Sequence, residues 1–176
     1  MIILVGPSAS GKTAVGKLLE EKYNINKVVT YTTREKRVNE VDNIDYHFIS
    51  IDKFIELKNN NFFFETTLYN NNYYGTSIES LNNNSYMILD IEGYNNYKKS
   101  NLDIMCFYFD CSKEIRQIRM NKRLDNVKDI EKRLEIDDSN FSKSRLDSNV
   151  VIINTENKSI EEIGEYIYGL YTAKFR

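Results

Sequence analysis

The chain has 176 residues, a formal net charge of −2, and is 41% hydrophobic and 28% charged, which fits one ordinary globular domain. That charge balance argues against a dedicated nucleic-acid binder, which carries a basic surplus. Too little Gly, Pro and Ser is present for a disordered chain, and no apolar run approaches the roughly 18 residues of a membrane-spanning helix. The punctuation is unusual: 22 Asn stand against 7 Gly and one Pro, so many turns fall to Asn, the non-Gly residue that best tolerates positive φ.

Met1 to Val5 is a continuous apolar run leading into Gly6-Pro7. It reads as a buried strand, and it lacks the basic start of a signal peptide. Lys12 to Tyr23 has Ala14, Val15, Leu18 and Leu19 at helical spacing. Val28 to Tyr31 is a short strand candidate, and residues 34 to 46 read as a polar loop. Tyr46 to Ile49, Phe62 to Glu65 and Tyr73 to Thr76 are short β-like runs, with an amphipathic helical turn from Asp52 to Lys58. Ser77 to Leu81 reads as a helix start. Tyr86 to Ile91, Ile104 to Phe109 and Val150 to Ile153 are buried-strand runs; Lys113 to Arg123 and Asp129 to Asp138 are charged helices. Ser159 to Tyr171 is an amphipathic closing helix with Ser159 as its N-cap. The Asn clusters at 59–61, 70–72 and 82–84 fall between elements as turns.

Strands and helices alternate at both ends of the chain, which implies an α/β fold with a parallel sheet and right-handed crossovers. A β-rich lobe over residues 34–77 interrupts it. Cys106 and Cys111 are the only thiols; with no export signal, both are expected reduced, as in the cytosol. His47 is the only histidine, and its surroundings suggest strand packing rather than catalysis.

Gly6-Pro7-Ser8-Ala9-Ser10-Gly11-Lys12-Thr13 fits the pattern G-x-x-x-x-G-K-[ST] between a buried strand and a helix. Successive backbone N–H groups and a helix N-terminus there meet anionic oxygens. Lys12 reaches the β- and γ-phosphates in such a loop, and the Thr13 hydroxyl ligates Mg²⁺. The loop specifies a nucleoside triphosphate and leaves GTPase, ATPase and small-molecule kinase open.

Downstream lie Thr32-Thr33-Arg34-x-x-Arg37-x-x-Glu40, Asp45-Tyr46, Phe64-Glu65 and Tyr73-Tyr74-Gly75-Thr76-Ser77. Two arginines three residues apart in a loop converge on one anion, and guanidinium suits bidentate phosphate binding. Tyrosine hydroxyls donate to phosphate without adding charge. A carboxylate in a short β lobe accepts two N–H donors from a purine edge.

The ordered set GPSxxGKT, TTRxxRxxE, DYxF, FFE, NYYGTS and LDIE resembles guanylate kinase, from Ile2 to about Asn154. The resemblance implies a P-loop kinase fold: a central parallel sheet flanked by helices, a small inserted β-rich NMP-binding lobe and a helical lid. The core would be residues 1–33, 78–111 and 146–176, the GMP-binding lobe 34–77 and the lid 112–145. It implies ATP-dependent phosphorylation of GMP and dGMP with Mg²⁺. Gly6, Ser8, Ala9, Ser10, Gly11, Lys12 and Thr13 would hold the ATP phosphates. Arg34, Arg37, Tyr46 and Tyr74 would hold the GMP phosphate, and Glu65 would accept from guanine. Thr30, Thr76 and Glu92 match positions near the base. Asp90 would help Thr13 organise the metal. Arg119, Arg123 and Arg133 match lid arginines that close over the ATP phosphates and act catalytically with Lys12 and Arg37. Asn154 matches a position near adenine. Arg116 and Lys122 are expected on the solvated face of the first lid helix. Partners are small nucleotides in the cytoplasm, with no nucleic acid and no membrane, acted on by a monomer or homodimer.

The family pattern has Gly where this chain has Ala9, Asn39, Asn43 and Asn71. Asn is the cheapest substitute where left-handed geometry is needed. Two other readings stand beside the kinase: a guanylate-kinase-like module that binds a peptide, and a related kinase acting on another phosphorylated acceptor. The intact Gly11, Lys12, Thr13, Arg34 and Arg37 disfavour the first. Glu65 disfavours the second.

Overall fold

The computed structural model describes residues 1–38, 40–69 and 71–175. The chain forms two compact units, Met1–Asn26 with Tyr86–Arg176, and Lys27–Ser85.

In the first unit the apolar runs form a parallel sheet. β1 (Ile2–Val5) is entirely buried, as a strand covered on both faces must be. It leads through the phosphate motif into α1 (Lys12–Tyr23). That helix ends at Asn24, whose φ of 55° is left-handed. The Asn24 and Ile25 N–H groups close back onto the Glu20 and Leu19 carbonyls, so Asn here takes the place usually given to a C-terminal glycine. The apolar run from Tyr86 does not continue as strand to Ile91. β7 (Ser85–Leu89) stops, and Asp90 caps α3 (Ile91–Lys98) by accepting from the Gly93 N–H at 2.7 Å. Then follow β8 (Met105–Asp110), α4 (Lys113–Lys122), α5 (Val127–Asn140), β9 (Val151–Asn154) and α6 (Ile160–Phe175). Ser159 and Glu162 form a reciprocal capping box at the start of α6. The sheet order is β2-β7-β1-β8-β9, where β2 is Asn26–Lys27. β1 pairs in parallel with both β7 and β8, and β8 with β9. Val15, Leu19, Phe107, Phe109, Ile163 and Ile167 fill the core between this sheet and its helices.

The second unit is built on a four-stranded sheet of order β4-β3-β6-β5. Its strands are β3 (Tyr31–Thr32), β4 (His47–Phe48), β5 (Phe63–Tyr69) and β6 (Asn72–Ser77), with α2 (Ile51–Asn59) on it. The strand expected over 28–31 begins only at Tyr31, and residues 78–80 form a single 3₁₀ turn. An aromatic stack of Phe54, Phe63 and Tyr73 holds α2 to the sheet. It needs Gly75, because a Cβ there would meet the Phe63 ring at 2.9 Å and Phe54 at 3.1 Å. His47 lies in β4, against the Tyr31 ring, with Nδ1 2.7 Å from Asn43 Oδ1.

Among the described residues six non-glycine positions have positive φ, and four of them are asparagines: Asn24, Asn43, Asn61 and Asn71. Two of these, Asn43 and Asn71, are positions where the resembled family has Gly, and left-handed backbone is the physical reason. Asn39 lies outside the described residues. Ala9 has φ 60° as well, so the one non-Asn replacement also sits in left-handed geometry.

Candidate active site

The β1–α1 junction sets the phosphate loop. Gly6 has φ 148°, and a Cβ there would lie 2.8 Å from the Phe109 carbonyl, so neighbouring β8 leaves room only for glycine. Lys12 folds back over the loop and donates to the Gly6 carbonyl at 2.5 Å, the Pro7 carbonyl at 2.7 Å and Ser10 Oγ at 3.3 Å. Burial pushes its ammonium down to about 8, with Asp137 opposing that shift. A proton on a partly buried lysine is costly without anionic oxygens beside it, so phosphate oxygens at this place would raise the group again.

The loop tip is held from outside by three side chains. Asp137, on α5, accepts from the Ser8 N–H at 2.8 Å and from Ser8 Oγ at 3.3 Å. Arg119, on α4, donates to the Ala9 carbonyl at 3.2 Å and the Thr155 carbonyl at 2.6 Å. Thr155 donates its hydroxyl to the Ser10 carbonyl at 3.0 Å. The Ala9 methyl packs against a small cluster of Met120, Ile130 and Leu134 between α4 and α5.

Arg116 is not on a solvated face. It is 4% exposed and pairs with Asp137 at 2.8 Å and Asp138 at 3.4 Å. Together with Met120, one turn on, it lies on the helix face that α5 covers. Arg123 and Arg133 are exposed and share Asp125, at 3.2 and 3.4 Å. Thr13 is exposed in the first turn of α1. Val5 pairs with Leu89, so Gly6 and Asp90 leave adjacent strands side by side. One Asp90 oxygen caps α3. Glu92 is exposed in the first turn of that helix. Asn154 spends its side chain on the Glu156 N–H at 3.0 Å, in the turn after β9.

In the second unit Arg34 meets both oxygens of Glu40, at 2.7 and 2.9 Å. Its guanidinium lies 5.5 Å from the Tyr46 ring centre and 5.7 Å from that of Phe48. The Glu40 hydrogen bond, with a smaller contribution from Tyr74, raises the guanidinium above its usual range. Glu40 is lowered in turn by Arg34 and by the Arg37 N–H. Tyr46 and Tyr74 are edge to face at 6.1 Å; burial first, then Tyr74, raises the Tyr46 phenol. Arg34, Tyr46 and Tyr74 are thus brought together. Arg37 is fixed by its backbone to Glu40, with an exposed side chain. On the paired strands β5 and β6, Glu65 sits opposite Thr76 beyond a register shift. Thr76, fully buried, donates to Glu65 Oε1 at 2.9 Å. Thr30 is half-buried, and its carbonyl accepts from the His47 N–H.

The family model described as guanylate kinase matches residues 1–169. The chain belongs to the guanylate kinase family. It is 35% identical over 82 residues to a guanylate kinase of Desulfotalea psychrophila, covering 46% of this chain and 40% of that protein. It is 44% identical over 82 residues to one from Wolinella succinogenes, covering 46% of this chain and 38% of that protein. These alignments thus span well under half the length of the relatives. A crystal structure of guanylate kinase from Anaplasma phagocytophilum matches with TM-score 0.66 at 24% identity, over 99% of this chain and 85% of that one; it bears on the fold alone.

Within this guanylate kinase family chain, three residues that hold others in place are not among those the sequence assigns to the site. Glu40 is visible as the last position of the TTRxxRxxE motif, and its spacing from Arg34 is the available signal. Asp137 and Thr155 meet the loop from 129 and 145 residues away, and no local pattern marks them.

Proposed function

We propose that the chain transfers the γ-phosphate of ATP to GMP and dGMP, yielding ADP and the nucleoside diphosphate. The observation that carries this reading is Glu65. It is a carboxylate braced by a buried threonine in a chain that also holds a phosphate loop and an Arg–Tyr–Tyr anion cluster. A sugar phosphate needs no purine-edge reader, and a peptide-binding module needs no Lys12 poised over a loop.

In this reading the loop N–H groups and Lys12 bind the ATP phosphates, and Arg119, Arg123 and Arg133 offset charge on the transferring group. Arg34, Arg37, Tyr46 and Tyr74 hold the GMP phosphate. Glu65, with Thr76, Thr30 and Glu92, reads the base, and Asn154 lies on the adenine side. No general base is needed, because the acceptor phosphate is already an anionic nucleophile; catalysis is positioning and charge stabilisation.

Among the described residues no group of three or more His, Cys, Asp or Glu could hold a metal by itself. Mg²⁺ arrives with nucleotide phosphates and takes only one or two protein ligands, so it needs no such group. Thr13 and the Asp90 oxygen not used for capping are the residues to hold it. Bound there, it would neutralise developing phosphate charge. Both cysteines are buried and unpaired, consistent with work in a reducing cytoplasm; the reading takes the chain as a monomer or homodimer. No helix among the described residues is long and apolar enough to cross a membrane.

A coupled ADP-release assay with ATP and Mg²⁺ against GMP, dGMP, AMP, CMP and ribose phosphates tests the reading. Turnover with GMP or dGMP is expected, and its absence ends the proposal. Glu65→Gln is expected to lower kcat/KM for GMP about a hundredfold while leaving KM for ATP near its starting value, since one half-buried acceptor becomes a donor. Unchanged GMP kinetics would remove Glu65 from base recognition.

A further inference from the structure

We propose that Asp137, charge-balanced by Arg116, is a positioning residue that holds the phosphate loop in its nucleotide-receiving shape through Ser8. This rests on the reading that the loop takes ATP.

Asp137 and Arg116 are 6% and 4% exposed. A carboxylate and a guanidinium so dry are expensive to desolvate, and an apolar pair in the same place would be about as stable. The pair therefore calls for a task beyond cohesion, and its geometry supplies one. Asp137 Oδ2 accepts from both Arg116 Nη1 and the Ser8 N–H, each at 2.8 Å, and Oδ1 faces Ser8 Oγ at 3.3 Å. Arg116 also reaches Asp138 at 3.4 Å, which Lys113 neutralises at 2.7 Å. Its Nε is buried with no partner among the described residues.

The next loop residue, Ala9, is left-handed, a conformation alanine does not adopt unaided. Relaxing it would turn neighbouring peptides and aim carbonyls where N–H donors are needed. Asp137 on Ser8, Arg119 on the Ala9 carbonyl and Thr155 on the Ser10 carbonyl oppose that turn at three consecutive residues. Of the three, only Asp137 fixes an N–H. Because Arg116 cancels its charge, it anchors the loop without adding repulsion toward the triphosphate.

The test removes both partners together, so that no unpaired charge stays buried. Arg116→Leu/Asp137→Ala is expected to melt close to the parent. ATP binding, read by calorimetry without acceptor, should weaken about tenfold or more, the factor one hydrogen bond to a charged group carries. GMP binding should stay unchanged. Arg116→Leu/Asp137→Asn, whose amide oxygen can still accept from Ser8, should recover most of the loss. A double variant that binds ATP within about twofold of the parent overturns the proposal, as does an Asn version no better than the Ala version. In the nucleotide-free parent, the Ser8 amide should exchange slowly with solvent; exchange at the rate of an open chain also overturns it. A parent that binds ATP but does not phosphorylate GMP would break the kinase reading and leave this one standing.

Discussion

The two regions proposed to hold anions solve one problem with opposite materials. On the proposed reading the binding groups of the first unit are backbone N–H donors, and side chains around them, Asp137, Arg119 and Thr155, hold the loop, Arg119 also facing the transferring group. On the same reading the binding groups of the second unit are themselves side chains, Arg34, Tyr46 and Tyr74, and a single carboxylate, Glu40, orients the arginine. The difference teaches where each site is fragile. A backbone site tolerates a change of residue so long as φ survives, as Ala9 illustrates, and its one indispensable side chain is the cation. A side-chain site depends on every rotamer that aims a charge.

The largest effect should therefore fall on that cation. Lys12→Ala removes the ammonium folded over the loop and is expected to lower kcat about 10²–10³-fold, the cost of losing one preorganised charge-stabilising donor. The chain should melt near the parent temperature, because the desolvation cost of the ammonium offsets its bonds to two carbonyls and a hydroxyl. Steady-state kinetics and a thermal melt together check it; a kcat within about threefold of the parent would make the backbone alone sufficient.

The counterpart in the second unit is smaller. Glu40→Gln keeps one acceptor for Arg34 but loses the charged, two-oxygen grip. KM for GMP is expected to rise roughly tenfold, with KM for ATP unchanged. If KM for GMP does not move, Arg34 is aimed by its stacking on Tyr46 and Phe48 rather than by Glu40, and the contrast between the regions narrows.

The same contrast explains what the sequence could and could not disclose. The strand–loop–helix unit around Gly6 to Thr13 is a backbone device, so its residues are contiguous and its context is legible. The second-unit cluster is spread over Arg34, Tyr46 and Tyr74, each ordinary alone; only their order along the chain, matched to a family, makes them a set. Asp137 is illegible for a physical reason: it acts across 129 residues, in a helix whose local pattern is merely charged. Arg116 departs from its expected solvated face because spacing fixes which residues share a face and says nothing about what covers that face. The apolar run extends past the strand to Ile91 because Ile91 is buried, 1% exposed, in a helix as it would be in a strand. The terminator is Asp90, the residue also expected at the metal.

pH offers a way to separate the regions without mutation. Burial holds Lys12 down at about 8 in the free chain, and bound phosphate oxygens raise it again. Between about pH 8 and the bound value, ATP binding takes up a proton. Its Kd should therefore rise with pH there, by at most about tenfold per unit, and stay flat below pH 8. Arg34 is already raised by Glu40, so GMP affinity should not change over the lower part of the same window, before guanine's own N1–H begins to ionise. Calorimetry in buffers of differing ionisation enthalpy counts the proton directly. A flat ATP profile up to pH 10 would mean that Lys12 is fully charged before the nucleotide arrives.

The smallest expected effect probes whether the loop's shape belongs to its residues or to its anchors. Ala9→Gly relieves left-handed backbone worth about 1–2 kcal/mol. It also gives up a methyl packed against Met120, Ile130 and Leu134, worth about 0.8 kcal/mol, and loosens the unfolded chain by roughly 0.4–1 kcal/mol. These terms nearly cancel, so the melting temperature should move by no more than about 3 °C and KM for ATP should hold. A clear rise in both stability and ATP affinity would mean that residual strain at Ala9 distorts the loop despite its anchors. A clear fall would mean that the methyl is itself an anchor, tying α4 and α5 to the loop as Asp137 and Arg119 do. No change in either places the geometry in the three external side chains, which is what a site built from backbone requires.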